Sequence, residues 1–316
     1  MSHARLDLNE TTTWTRRLTW LSVGVAAILT VVKVWASVRS GSVAVLASAA
    51  DSAIDLTASG ATFLAVRYAA APPDREHRFG HGKMEALASL LQAALVVVSA
   101  ALIAQEAAHS LRAHRIMTEE GLALGVMVVS MILTTILVTA QTQILKRAHS
   151  VAVAADRAHY ATDLGSNILA LAGVAAATKL HLPALDAISG LLIAAILVWS
   201  AVSIYRQASD QLLDHELPEP DRQRIISLAL EDPAMGDVHQ LRTRSAGPVT
   251  HIQFHATLDP GLSLEAAHRI MIAAETRILK AFPAADILIH PDPRGRAEPH
   301  PGVLGGAEAH MEDSLA

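Results

Sequence analysis

The stretch LASAADSAIDLTASG, residues 46–60, decides how this chain is read. It lies in an apolar run, about 42–70, and crossing a membrane takes roughly 20 mostly apolar residues. Yet it carries Asp51 and Asp55. On a helix, residues four apart stand one above the other on one face. Each charge at the centre of a membrane helix costs about 2.5–3.5 kcal/mol on insertion scales. Two carboxylates on one face therefore need partners.

The surroundings make the membrane assignment firm. The chain has 316 residues, 52% hydrophobic and 17% charged, against about 25% charged in a typical soluble domain. Its mean hydropathy is +0.34, and the apolar residues come in blocks. Six blocks are long enough to span: about 18–38, 42–70, 84–111, 121–145, 151–179 and 184–206. Physical breaks separate them, among them Arg39-Ser40-Gly41, Pro72-Pro73, Glu119-Glu120-Gly121 and His181-Leu182-Pro183. Lys and Arg crowd one side: Arg5, Arg16, Arg17, Arg67, Arg75, Arg78, Lys83, Lys146, Arg147 and Arg206. The other side holds Arg39, Arg112, Arg115 and Lys179, so both termini are expected in the cytoplasm. The opening MSHARLDLNETTTWTRR lacks the apolar core and cleavage site of a signal peptide. A net charge of −5 without a basic stripe argues against nucleic acid as a partner. With no cysteine, thiolate sites and disulfides are excluded, and any metal must be held by N or O donors.

Four segments are expected: a cytoplasmic N-terminal piece 1–17, a six-helix transmembrane domain 18–209, a cytoplasmic α+β domain 210–292, and a disordered tail 293–316. In the third, 221–231 has helical periodicity, 237–245 and 250–258 alternate as strands, 263–282 is an amphipathic helix capped by Ser263, and 285–290 is a short strand. The order α-β-β-α-β places helices on one face of a small sheet.

Partners for the two aspartates stand in the fifth run, where ADRAHYATDLG offers His159 and Asp163 at the same spacing. Two helices each presenting such a pair can close four ligands around one divalent cation. Three carboxylates and an imidazole suit Zn²⁺, Cd²⁺, Mn²⁺ or Fe²⁺, and a tetrahedral arrangement favours the first two. The plainer alternative is a set of polar contacts between helices, or the lining of a wet cavity. A second cluster, Asp74, His77 and His81, lies in the loop PPDREHRFGHGKMEAL, where His77 and His81 could share a helical face. Such residues are also ordinary in a polar loop. A third group comprises His239, His255, His268, His290 and Asp292, with His251 four residues before His255 and so on the same face of a strand. A lone strand histidine is usually a surface residue, but several at the edge of one small domain point to metal. His300 and His310 in the tail are weak metal contacts at best.

Six segments taken in order carry a resemblance: GSVAVLASAADSAID (41–55), HRFGHGKMEALASL (77–90), ADRAHYATD (155–163), LLDHELP (212–218), HQLRTRSAGP (239–248) and ILIHPDP (287–293). Together they resemble the cation diffusion facilitator family, most closely its bacterial zinc and ferrous-iron efflux (YiiP-like) branch, from about Trp14 to Asp292. The resemblance implies a six-span homodimer in the bacterial inner membrane, not an enzyme, with a metallochaperone-like cytoplasmic domain and metal/proton antiport. It places Asp51, Asp55, His159 and Asp163 on a transport site and Asp74, His77 and His81 on a loop site. It places His239, His255, His268, His290 and Asp292 on a binuclear cytoplasmic site, with His255 or Asp292 bridging. It also matches Lys83 and Asp214 to a charge interlock at the dimer contact. One departure is Pro291, where related sequences often carry a polar residue. His251 has no counterpart in the family pattern.

Proton coupling follows from the donors themselves. Carboxylate and imidazole ligands must be deprotonated to bind a metal, so protons and cations compete for them. His159, with an unperturbed pKa of about 6.5, is the best single proton carrier. Two rivals remain at this stage. A membrane-bound metal sensor would not need the intramembrane ligands, whereas a metal-permeable channel could use the same lining residues. An intramembrane aspartyl protease faces its two aspartates across two helices, unlike Asp51 and Asp55 on one.

Overall fold

The computed structural model describes residues 8–40, 43–113, 121–146, 148, 150–180 and 184–295. Expectations for 1–7 and for the tail beyond 295, with His300 and His310, lie outside the described residues. The chain divides into two compact units at Leu213/Asp214.

The first unit consists of six long helices: α1 (Leu8–Ser40), α2 (Val43–Ala69), α3 (Met84–Ala113), α4 (Gly121–Leu145), α5 (Val151–Leu180) and α6 (Ala184–Leu212). Each covers one of the six apolar runs. Among the described residues, four segments are long and apolar enough to cross a membrane: Asn9–Arg39, Met84–His109, Gly125–Leu145 and Ile188–Leu212. The two helices missing from that set, α2 and α5, are those that carry Asp51, Asp55, Asp156, His159 and Asp163. The carboxylates lower the hydropathy of both helices.

Large apolar side chains such as Trp20, Ile28, Val31, Ile132, Ile136 and Trp199 point outward. That suits a lipid surround, where the backbone is satisfied within each helix and apolar side chains face the acyl chains. The most extensive helix pair is α3 with α6, packed through Val96, Ala100, Ile193, Leu197 and Ala201. Small residues permit this approach. A Cβ on Gly190 would stand 2.9 Å from the Ala107 Cβ. At its N-terminus α5 is capped from another helix. Ser150 Oγ accepts from the Val153 N–H (3.2 Å) and donates to Glu85 Oε2 of α3 (2.7 Å). The Glu85 carboxylate also accepts from the Val151 and Ala152 N–H groups, and a negative charge is favoured at that end of a helix.

In the second unit, α7 (Glu219–Ala229), β1 (Asp237–Ala246), β2 (Val249–Leu258), α8 (Leu264–Ala281) and β3 (Ala285–Pro293) follow the expected α-β-β-α-β order. The sheet runs β1-β2-β3, with β1 antiparallel and β3 parallel to β2. Gly247, at φ 60°, makes the turn between β1 and β2 in a conformation that favours glycine. Ser263 caps α8, accepting from the Ala266 N–H at 3.2 Å. Ile252, Phe254 and Ala256 of β2 pack with Ile225 and Leu228 of α7 and with Ala274 and Ile278 of α8. Alternation then sends His251, His255 and Thr257 to the opposite face of the sheet. The third strand runs three residues past the expected end at 290 and takes in Pro291 and Pro293. It is an edge strand, where a proline has no outer ladder bond to break. The register of β1 slips between His239 and Arg242, with Gln240 at φ 51°. This β-bulge bends the strand beside His239.

Candidate metal centres

In the helical unit Asp55, His159 and Asp163 each bring one donor atom into a group spanning no more than 4.8 Å. The His159 Nε2 lies 2.9 Å from Asp55 Oδ1 and 3.4 Å from Asp163 Oδ2. The imidazole is buried, and the two carboxylates beside it are half-buried. One helical turn before Asp55, Asp51 stands on the same face of α2, within electrostatic reach of Asp55 and His159 but outside that close group. The i, i+4 pairing on two helices thus brings three of the four expected ligands together in one place.

Two neighbours of this group were not singled out from sequence. Lys33, within the apolar α1, donates from Nζ to Ser52 Oγ at 2.7 Å and lies within electrostatic reach of Asp51 and Asp163. Its signal was available, since a lysine inside an apolar run is itself unusual. Asp156, one turn before His159, is fully buried. It accepts from Gln141 Nε2 (2.8 Å), Ser59 Oγ (3.2 Å) and Gln92 Nε2 (3.4 Å), and Gln141 also donates to Ser22 Oγ (3.1 Å). One carboxylate therefore ties polar side chains from α1, α2, α3 and α4 to α5. Ser59 Oγ also lies 2.8 Å from the Tyr160 hydroxyl.

The loop cluster Asp74, His77 and His81 gathers within the same 4.8 Å limit. Its histidines do not share a helical face, which corrects the expectation for this pair. Residues 72–83 form bends and turns, with Gly80 at φ +81° and its N–H donating to the His77 carbonyl at 3.0 Å. Two prolines upstream and a left-handed glycine leave no room for a helix there. Asp74 Oδ1 accepts from the N–H groups of His77 (2.6 Å) and Glu76 (2.9 Å), and these bonds hold its carboxyl below the ordinary range. Asp74 Oδ2 lies 3.2 Å from His81 Nε2, and the His81 ring packs edge-on against Tyr68.

On the open face of the sheet His239, His255 and His290 stand in one row across the three strands. Asp292 reaches back across it, with Oδ2 2.8 Å from His255 Nδ1 and 3.1 Å from His239 Nε2, and Oδ1 3.6 Å from His290 Nε2. His239, His255 and Asp292 form the close donor group, and the His255 and His290 rings are 4.7 Å apart. Burial raises the Asp292 pKa, but the hydrogen bond and charge of His255, with His290 and His239, outweigh it and hold the carboxyl low. His268 is exposed on α8, in the helical layer on the other face, and lies outside this group. His251 Nδ1 pairs with Asp286 Oδ2 at 3.0 Å, in a separate row. Lys83 Nζ donates to the Leu212 carbonyl (3.3 Å), and Asp214 Oδ2 accepts from Arg244 (3.1 Å).

A carboxylate held low stabilises the folded form above its unfolded pKa of about 3.9, and that contribution disappears as pH falls through the folded value. With metal chelated, Asp292→Asn is expected to lower the melting temperature of the cytoplasmic unit at pH 7. The difference from the parent is expected to hold at and above about pH 5 and to shrink progressively as pH falls below the ordinary carboxylate range, through the lowered folded value. Calorimetry across that series checks it, and a deficit that does not change with pH would contradict it.

A bundle of apolar helices with carboxylates and an imidazole converging inside it, joined to a small α+β unit with a His/Asp cluster, defines a polytopic membrane protein equipped for metal cations. The cation efflux transmembrane domain matches residues 19–213, and the cytoplasmic domain of cation efflux proteins matches 217–294. The chain belongs to the cation efflux family. The cation-efflux pump FieF of Pectobacterium carotovorum subsp. carotovorum (strain PC1) is 38% identical over 273 residues, 86% of this chain and 90% of that one. Protein p34 of Rickettsia prowazekii (strain Madrid E) is 36% identical over 285 residues, 90% of this chain and 94% of that one. A solved CzrB chain in its Zn form is 32% identical, with a TM-score of 0.26, covering 27% of this chain and 98% of that one. Family membership makes this a multi-pass membrane protein of divalent metal cation efflux, with its C-terminal unit as the cytoplasmic domain.

Proposed function

We propose that the chain is a homodimeric metal/proton antiporter of a bacterial inner membrane that exports Zn²⁺ from the cytoplasm. Both termini lie in the cytoplasm, by the bias of Lys and Arg. The convergence of Asp55, His159 and Asp163 inside an apolar bundle carries this reading, with Asp51 as the fourth ligand. A desolvated donor set of this kind is costly when charged and empty, so it is stable with a dication or with protons. Metal entering from the cytoplasm displaces protons, and protons entering from outside displace metal. Alternating access then makes the two movements an exchange. A His-containing four-ligand site favours Zn²⁺, with Cd²⁺, Fe²⁺ and Mn²⁺ as further substrates.

The row of histidines on the cytoplasmic sheet serves a different purpose. Metal bound there links to protomer pairing and shifts the population towards the conformation that fits it. Asp74, His77 and His81 form a third metal site at the membrane surface, and Lys83 with Asp214 forms the charge interlock of the dimer. The test is transport in proteoliposomes under an imposed pH gradient. Zn²⁺ accumulation against its own gradient, abolished by collapsing the pH gradient, is the expected result. Flux that only follows the Zn²⁺ gradient would make the protein a channel instead.

A further inference from the structure

A lysine inside a membrane-spanning helix is unusual, and this one lies within electrostatic reach of two of the candidate metal ligands. Lys33 lies in the Asn9–Arg39 span, and its Nζ is held by Ser52 Oγ at 2.7 Å. The Ser52 carbonyl is in turn bound by Thr30 Oγ1 of α1 at 2.9 Å, so two side chains one turn apart on α1 clasp the residue next to Asp51. The ammonium is within electrostatic reach of Asp51 on α2 and Asp163 on α5. A protonated lysine has no lone pair and cannot be a ligand. It is a compact fixed charge. With His159 neutral, Asp51, Asp55 and Asp163 supply three negative charges and Lys33 one positive charge. The balance is two negative charges, matched by one dication.

We infer that Lys33 is a specificity-determining residue: its anchored ammonium offsets one of the three carboxylates and sets the site to divalent charge. The inference rests on the transport-site reading and deepens it. Without the ammonium the site attracts cations more strongly, so binding tightens and release slows. The experiment is Zn²⁺ transport in proteoliposomes by Lys33→Gln and Lys33→Met, with Lys33→Arg as the charge-keeping variant and Asp55→Ala as the site control. Both neutral variants are expected to lower KM and kcat together, each about tenfold. Competition by La³⁺ against Zn²⁺ is expected to strengthen by about tenfold in the same variants. Lys33→Gln keeps a donor for Ser52, which guards against loss of folding alone. Lys33→Arg is expected to keep parental values. An unchanged or raised KM in both neutral variants overturns the inference, as does La³⁺ competition at the parental level. So does an arginine variant that behaves like the glutamine one. Normal transport by Asp55→Ala would instead overturn the site itself.

Discussion

Asp55→Ala is expected to abolish saturable Zn²⁺ export, lowering kcat/KM by about a hundredfold or more, which is about 2.7 kcal/mol at tenfold per 1.36 kcal/mol. The reason is positional. Asp55 is the one member of the close donor group on α2, and it stands 2.9 Å from the His159 imidazole on α5. Its removal leaves His159 and Asp163 on a single helix, an i, i+4 pair without the facing carboxylate that closes the site. Asp55→Asn keeps the shape but removes the charge that a dication needs, so it is expected to fail nearly as badly. Initial-rate transport in proteoliposomes checks both variants. A parental rate in Asp55→Ala would remove the transport site from the place assigned to it.

The second large effect is on stability. Asp156→Ala is expected to destabilise the helical unit by about 3 kcal/mol or more, because Gln141, Ser59 and Gln92 each lose an acceptor inside the bundle. A buried donor left without a partner costs about 1–3 kcal/mol. Asp156→Asn retains one oxygen but turns an amide towards neighbours that are themselves donors, so an intermediate loss is expected. Unfolding in detergent, followed by heat or denaturant, measures both. A parental melting profile for Asp156→Ala would show that the network adds nothing net. Unlike Asp55→Ala, this variant is expected to lose export in proportion to the protein that remains folded.

The parts of the molecule that depend on local pattern were readable in the sequence. Six apolar blocks, the breaks at Pro72-Pro73 and elsewhere, the Ser263 cap and the alternation of the strands each rest on neighbours a few residues apart. The same holds for Asp51 with Asp55 and for His159 with Asp163, whose spacing alone shows a shared face. What was not readable depends on distant partners. Asp156 lies in the quoted ADRAHYATD segment, but its weight comes from Ser59 and Gln92, 97 and 64 residues away. Lys33 was visible as a charge in an apolar run, yet its link to the site runs through Ser52, 19 residues on. His77 and His81 come close to Asp74, but through a turn shaped by Gly80 rather than along one helical face. His268 is exposed on α8 and outside the close donor group of this chain, a placement that depends on how α8 packs.

The bulge at Gln240 has a consequence for how this domain tolerates change. Regular alternation from His239 would turn Arg242 and Arg244 into the core. The extra residue absorbs that shift and keeps all three on the open face. Removing Gln240 would therefore leave every other side chain of β1 on its present side and give an ordinary ladder. What would be lost is the local bend that aims His239 at Asp292. Architecture and the His239–Asp292 contact are separable at this one position: the sheet can do without a residue on which that contact depends.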